Sequence, residues 1–169
     1  MRKTLAITIV LGLVLSVFLL GGQATPAAAD NHTILAFNTM VGIPQSFTGT
    51  QNPIRGIIGG GLPWMLTSAA GSLSSDGKLE LEVHGLVLAA GVNAGKNPIP
   101  DFKAIVSCLT TGGLVTNVST GIFPATTGSA LTGGGNAQVE TMLALPRPCI
   151  APIVFVTSPG GAWFAATGR

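Results

Sequence analysis

Glycine and proline punctuate this 169-residue chain so densely that a long helix has no room past its first thirty residues; there are 24 glycines and 11 prolines. An interior proline removes a helix hydrogen bond, and an interior glycine costs a helix about 1 kcal/mol. No long segment beyond the leader repeats its apolar residues every 3.6 positions. Between the breaks lie short β-like runs: HTILAFN, WMLTSAAGSL, KLELEVHGLVLAA, FKAIVSCLT, GLVTNVSTGIF, GSALTG, NAQVETMLAL, CIAPIVFVTS and AWFAATG. Their separators are Gly, Pro, Thr and Asn clusters at fairly even spacing. The pattern predicts an all-β fold, an antiparallel β-sandwich or barrel.

The chain opens MRKTLAITIVLGLVLSVFLLGGQATPAAAD. Arg2 and Lys3 precede an apolar run from Leu5 to Leu20. Gly21, Gly22 and Pro26 then break the helix ahead of Ala27-Ala28-Ala29. This is the three-part layout of a secretory signal peptide with an A-x-A site. It predicts a helical leader over residues 1–29, cleavage after Ala29, and one secreted domain over residues 30–169. An uncleaved anchor is the competing expectation, because the run is near the lower length limit for crossing a bilayer. Either outcome leaves the remainder outside the cytoplasm.

Removing the leader changes the charge balance. The chain has eight Lys plus Arg and six Asp plus Glu. Arg2 and Lys3 leave with the leader and every acid stays, so the mature chain is neutral in side-chain charge. A neutral surface argues against nucleic acid and against attachment to an anionic membrane by charge. Cys108 and Cys149 are the two cysteines. In an exported chain they predict one disulfide, closing a loop of about 40 residues. The competing role, Cys108 as a nucleophile with His84 as base, needs a depressed thiol pKa and protection from oxidation.

The segment from Ser74 to Gly91, SSDGKLELEVHGLVLAAG, carries the most pattern. Asp76-Gly77 signals a hairpin turn. Beyond it, Lys78, Glu80, Glu82 and His84 point to one side of a strand while Leu79, Leu81 and Val83 point to the other. Glu80, Glu82 and His84 are the candidate ligand or metal set, since two carboxylates and an imidazole could bracket a cation. The plain reading is the solvated face of a half-buried strand, with Lys78 competing for Glu80. Gly85 predicts a bulge or a close backbone approach, after which LVLAA is apolar on both sides.

Trp64 and Trp163 are the only tryptophans. They are candidates for an aromatic platform that binds a glycan, set against ordinary core packing. Arg55 and Arg147 are isolated cations. The Gly/Pro-rich segment from Thr39 to Pro63 predicts a long loop with one short strand near Arg55 to Ile58. On this map Phe102, Ala104, Val106 and Cys108 share one apolar face, and Cys149, Ala151, Ile153 and Phe155 share another.

The blocks IRGIIGGGLPW, GLVLAAG, NPIPDFKAIVSCLT and CIAPIVFVTSPGGAWFAATG resemble those of uncharacterised bacterial secreted proteins of Gram-positive lineages. The resemblance runs from about Arg55 to Gly168. It implies export and a single domain, and it brings no activity or site residue. The expectation is a non-catalytic binding or structural module at the cell surface or in the medium, with no cofactor. Its partner would be a protein or a second copy of the chain. A glycan- or cation-binding module and an extracellular hydrolase are the alternatives.

Overall fold

The computed structural model describes residues 32–167. The leader, the cleavage site after Ala29 and the expected start at Asp30 lie outside the described residues. Among the described residues no helix is long and apolar enough to cross a membrane.

Two antiparallel sheets form the body, and their strands are numbered in chain order. The four-stranded sheet runs β1 (Thr33–Phe37), β4 (Ser68–Ser74), β5 (Lys78–His84), β11 (Ala137–Met142). The five-stranded sheet runs β2 (Met40–Gly42), β13 (Trp163–Thr167), β12 (Ile150–Thr157), β8 (Asp101–Leu109), β9 (Val115–Pro124). Two short ribbons extend one end: β3 (Trp64–Met65) with β6 (Val87–Leu88), and β7 (Lys96–Asn97) with β10 (Gly128–Ser129). The chain passes from β1 to β2 in two residues, stepping between sheet edges. On the other side the edges meet at the bridge Ala125↔Ala137. The sandwich is therefore almost a flattened barrel.

The alternation in β5 decides which face of its sheet is buried. Leu79, Leu81 and Val83 are buried with Leu73 from β4. Phe102, Ala104, Val106 and Cys108 of β8, with Val154 and Val156 of β12, meet them from the other sheet. Each large side chain buried there contributes about 1.5–3 kcal/mol. The β4–β5 hairpin turns at Ser75-Asp76-Gly77. Gly77 takes φ +99°, and a Cβ there would collide with the Leu143 carbonyl. Asp76 organises the turn by accepting from Ser74 Oγ and from the Lys78 N–H. At the far end Gly85 takes φ +62°, and a Cβ there would stand 2.3 Å from Thr67 Oγ1. That close approach lets the chain bend out of β5, so that Leu86, Val87 and Leu88 are buried. Their cover is the chain itself: β6 pairs with β3, and Leu86 N–H donates to the Gly135 carbonyl.

The outer face of the five-stranded sheet is covered too. Residues 43–63 fold over it as a strap, hung on backbone bonds. Ile43 N–H donates to Phe164 O, Gly60 N–H to Trp163 O, and Trp163 N–H to Ile58 O. The short strand expected near Arg55 to Ile58 is instead a two-residue turn. Ile54 and Ile57 exchange both backbone bonds, and Arg55 and Gly56 between them take φ +50° and +80°. A turn this tight leaves no extended length to pair. Gly59 alone bridges to β13, at Trp163.

The Cys108–Cys149 disulfide forms, with a sequence separation of 41. Cys108 lies within β8 and Cys149 just before β12. The shared face expected for Cys149, Ala151, Ile153 and Phe155 is broken. Between Ile150 and Ile153 the register shifts against β8, with Ala151 at φ +45°. The bulge puts Val154 and Val156 on the inner face, opposite Val106 and Ala104, and turns Ile153 and Phe155 outward.

Candidate functional site

The open face of the four-stranded sheet gathers the densest group of ionisable side chains among the described residues. β5 supplies Lys78, Glu80, Glu82 and His84, and β11 adds Gln138 opposite Glu82 and Glu140 opposite Glu80. β4 contributes small residues, with Ser68 opposite His84, Ala70 opposite Glu82 and Ser72 opposite Glu80. The face is therefore a shallow trough of polar side chains.

Its charges are paired with one another. Lys78 Nζ sits 2.6 Å from Glu80 Oε1 and 3.0 Å from Glu140 Oε1. Hydrogen bonds to these two carboxylates hold the Lys78 ammonium above its ordinary range. The same bond from Lys78 holds the Glu80 carboxyl below the usual carboxylate range. Ser72 Oγ also donates to Glu80, at 3.4 Å. At the other end His84 Nε2 meets Glu82 Oε1 at 3.0 Å, with the two side chains 46% and 54% exposed. Asp76, at the hairpin turn, is likewise held low, first by the Ser74 hydroxyl and then by the Lys78 N–H.

The sequence candidates divide accordingly. Glu80, Glu82 and His84 do share one exposed face, but they split into two pairs: Glu80 faces Lys78, while Glu82 faces His84. Among the described residues no cluster of three or more His, Cys, Asp or Glu side chains could hold a metal ion. Trp64 and Trp163 are 5% and 3% exposed, so neither offers a platform. Trp64 stacks on Phe164 with ring centroids 4.1 Å apart, and Phe102 meets it edge-on. Trp163 packs edge-on between Phe155 and Phe47 of the strap. A β domain with few aromatic residues spends its largest rings on its core. Both cysteines are in the disulfide, so Cys108 is no nucleophile.

Arg55 has a structural task. Its Nη1 donates to the Ser107 carbonyl at 2.8 Å. That bond ties the strap to β8 beside the bulge of β12. Asn117 Nδ2 in turn donates to the Arg55 carbonyl at 3.1 Å. Arg147 is exposed beside a cavity of about 380 Å³ that Cys149 and His32 also line. Sequence reasoning missed the part of β11. The alternation of Gln138, Glu140 and Met142 held the signal, but only the strand order brings them beside Glu80 and Glu82.

No protein-family model, curated protein or solved structure matches this chain.

Proposed function

We propose that this is a secreted, non-catalytic module that works at the cell surface or in the medium by contact with protein. The supporting observation is where chemistry and apolar surface fall. The ionisable groups are paired with one another on an open face that excludes no water. Large apolar side chains, by contrast, stand free at the loop ends: Val92 is 102% exposed and Leu131 is 98% exposed. The disulfide fits an oxidising compartment. The resemblance to bacterial secreted proteins points the same way.

One observation favours a second reading, an extracellular hydrolase. Ser68 stands opposite His84, which pairs with Glu82, so a hydroxyl, an imidazole and a carboxylate lie in one row. Against it, no hydrogen bond joins Ser68 to His84, and the concavity of about 430 Å³ beside Glu82 and His84 is shallow and open to water.

The test uses the exported protein. It is offered chromogenic esters, glycosides and peptides, and its thermal unfolding is followed with EDTA, Ca2+, Zn2+ and soluble cell-wall glycans. The expected result is no turnover and no shift. A ligand at 100 times its dissociation constant would raise the midpoint by roughly 5–10 °C. Turnover lost in Ser68→Ala would establish the hydrolase. A metal shift lost in Glu82→Gln would make the β5 row a cation site, and a glycan shift would make the module a glycan binder. Oxidative footprinting of the exposed Met65 and Met142 supplies the positive arm. On the producing cell at least one should be protected relative to the purified chain.

A further inference from the structure

We propose that the chain pairs with a second copy of itself along the free edge of β9, as an antiparallel two-fold dimer. The inference rests on the contact-module reading and names the partner. β9 closes the five-stranded sheet, and its one strand neighbour in that sheet is β8. Its upper end leans on β11 near the Ala125↔Ala137 bridge, above the register shift that separates Ser119 from Ile122. Residues 115–119 below that shift have no further strand beyond them among the described residues.

The hairpin turn sets the direction of each backbone group. Thr110 N–H donates to the Leu114 carbonyl at 2.9 Å, so that pair faces inward. In an antiparallel ladder inward and outward pairs alternate. Leu109↔Val115, Ser107↔Asn117 and Ile105↔Ser119 are therefore the outward pairs. Ser107 agrees from the other strand, because its carbonyl is met by Arg55 beside the β12 bulge. Val115, Asn117 and Ser119 thus send their N–H and C=O groups off the sheet edge.

Proteins usually shield such an edge with charge, proline or a covering segment. Along residues 115–119 this one carries neither charge nor proline, and the strap reaches it only at the Asn117 side chain, which donates to Arg55 O, leaving the outward backbone groups without a strap partner. From Ala104 to Val139 the sequence contains no Asp, Glu, Lys, Arg or His, and the proline of β9 is Pro124, at its far end. A two-fold axis through Asn117 sets Asn117 against its own counterpart and Val115 against Ser119 of the copy. All the outward groups then find partners in an isologous interface. Leu114 and Val115, both exposed, flank the seam and gain cover. A charged edge would repel its own copy across the two-fold axis, and this neutral one does not.

Sedimentation velocity on the exported protein, from micromolar to millimolar, reads the association directly. A reversible monomer–dimer equilibrium is expected. Val115→Lys combined with Ser119→Lys lines up lysines across the two-fold axis and should weaken the dimer at least about tenfold, with the monomer's circular dichroism unchanged. Amide exchange of the unmodified chain is independent of any variant: Val115, Asn117 and Ser119 should slow as concentration rises. A monomer at every concentration, or a dimer unaffected by the double lysine, overturns the proposal. Either result leaves the contact-module reading standing with a different partner or seam. Turnover on a substrate would overturn that reading without touching this one.

Discussion

The two sheets solve the problem of a half-exposed surface in opposite ways. The four-stranded sheet keeps one face wet and places Lys78, Glu80, Glu82, His84 and Glu140 on it, so its strands alternate cleanly. The five-stranded sheet has almost no charge, and the strap covers much of its second face. In β8 every residue from Phe102 to Cys108 except Lys103 is buried. Alternation in a strand thus reports what lies outside it as much as what lies inside. Strands covered on both faces lose the period-2 signal and read as apolar runs.

This contrast yields tests of unequal size. The largest concerns the disulfide that anchors β8. Replacing both cysteines, Cys108→Ala with Cys149→Ala, releases a loop worth about 4 kcal/mol on the chain-entropy model. The melting midpoint should fall by roughly 10–15 °C. A fall of only a degree or two would mean that the five-stranded sheet holds itself.

The two sides of β5 should differ almost as much. Leu81→Ala leaves a cavity between the sheets and should cost about 3 kcal/mol by denaturant unfolding. Its neighbour Glu82→Gln, on the wet face, should change stability by less than about 0.5 kcal/mol. Equal costs would mean that the outer face is covered in solution and would erase the contrast. The strap comes next. Arg55→Met removes a charge-assisted bond to a backbone carbonyl and should cost about 2 kcal/mol. Amide exchange should rise in the strap and around Ser107 while the four-stranded sheet stays protected. Uniform exchange across both sheets would show that the strap and the body unfold as one unit.

Acid supplies the smallest effect. Asp76 and Glu80 are held below their unfolded values, so each stabilises the fold above the ordinary carboxylate range. That contribution is lost as pH falls through the lowered folded values. The melting midpoint should therefore decline gently below about pH 4, and Asp76→Asn should remove part of the decline. Both groups lie at the surface in reach of water, which keeps the effect small. A midpoint that rises on acidification would contradict the pairing of Lys78 with Glu80.

The four-stranded sheet was the legible half. The Asp76-Gly77 turn, the alternation of β5 and the close approach at Gly85 were all readable, because each depends on neighbours within a few residues. The strap was not. Its turn at Arg55-Gly56 and its seat on Trp163 depend on β8, β9 and β13, which come more than forty residues later. The bulge at Ala151 escaped for a related reason. Alternation assumes a regular ladder, and the register of this one shifts between Ile150 and Ile153, with Ala151 at positive φ. In the candidate site the β5 row and the pull of Lys78 on Glu80 were legible, while the second carboxylate on Lys78, Glu140, comes from β11, more than fifty residues later.

The way the sheets join also fixes an orientation. Thr33 stands opposite Ser74 beside the β4–β5 turn, and Ile34 and Leu35 line a cavity with Thr167 at the other end of the described chain. Both ends thus leave from one pole of the sandwich. Val92 and Leu131 occupy the opposite pole, where Ala130 N–H holds the two loops together by donating to Gly95 O. A tether, tag or fused domain joined directly at residue 32 or residue 167 would leave from the same side, with the apolar loop tips pointing away from it. A display scaffold built on this chain could be anchored from whichever end is convenient without hiding that pole.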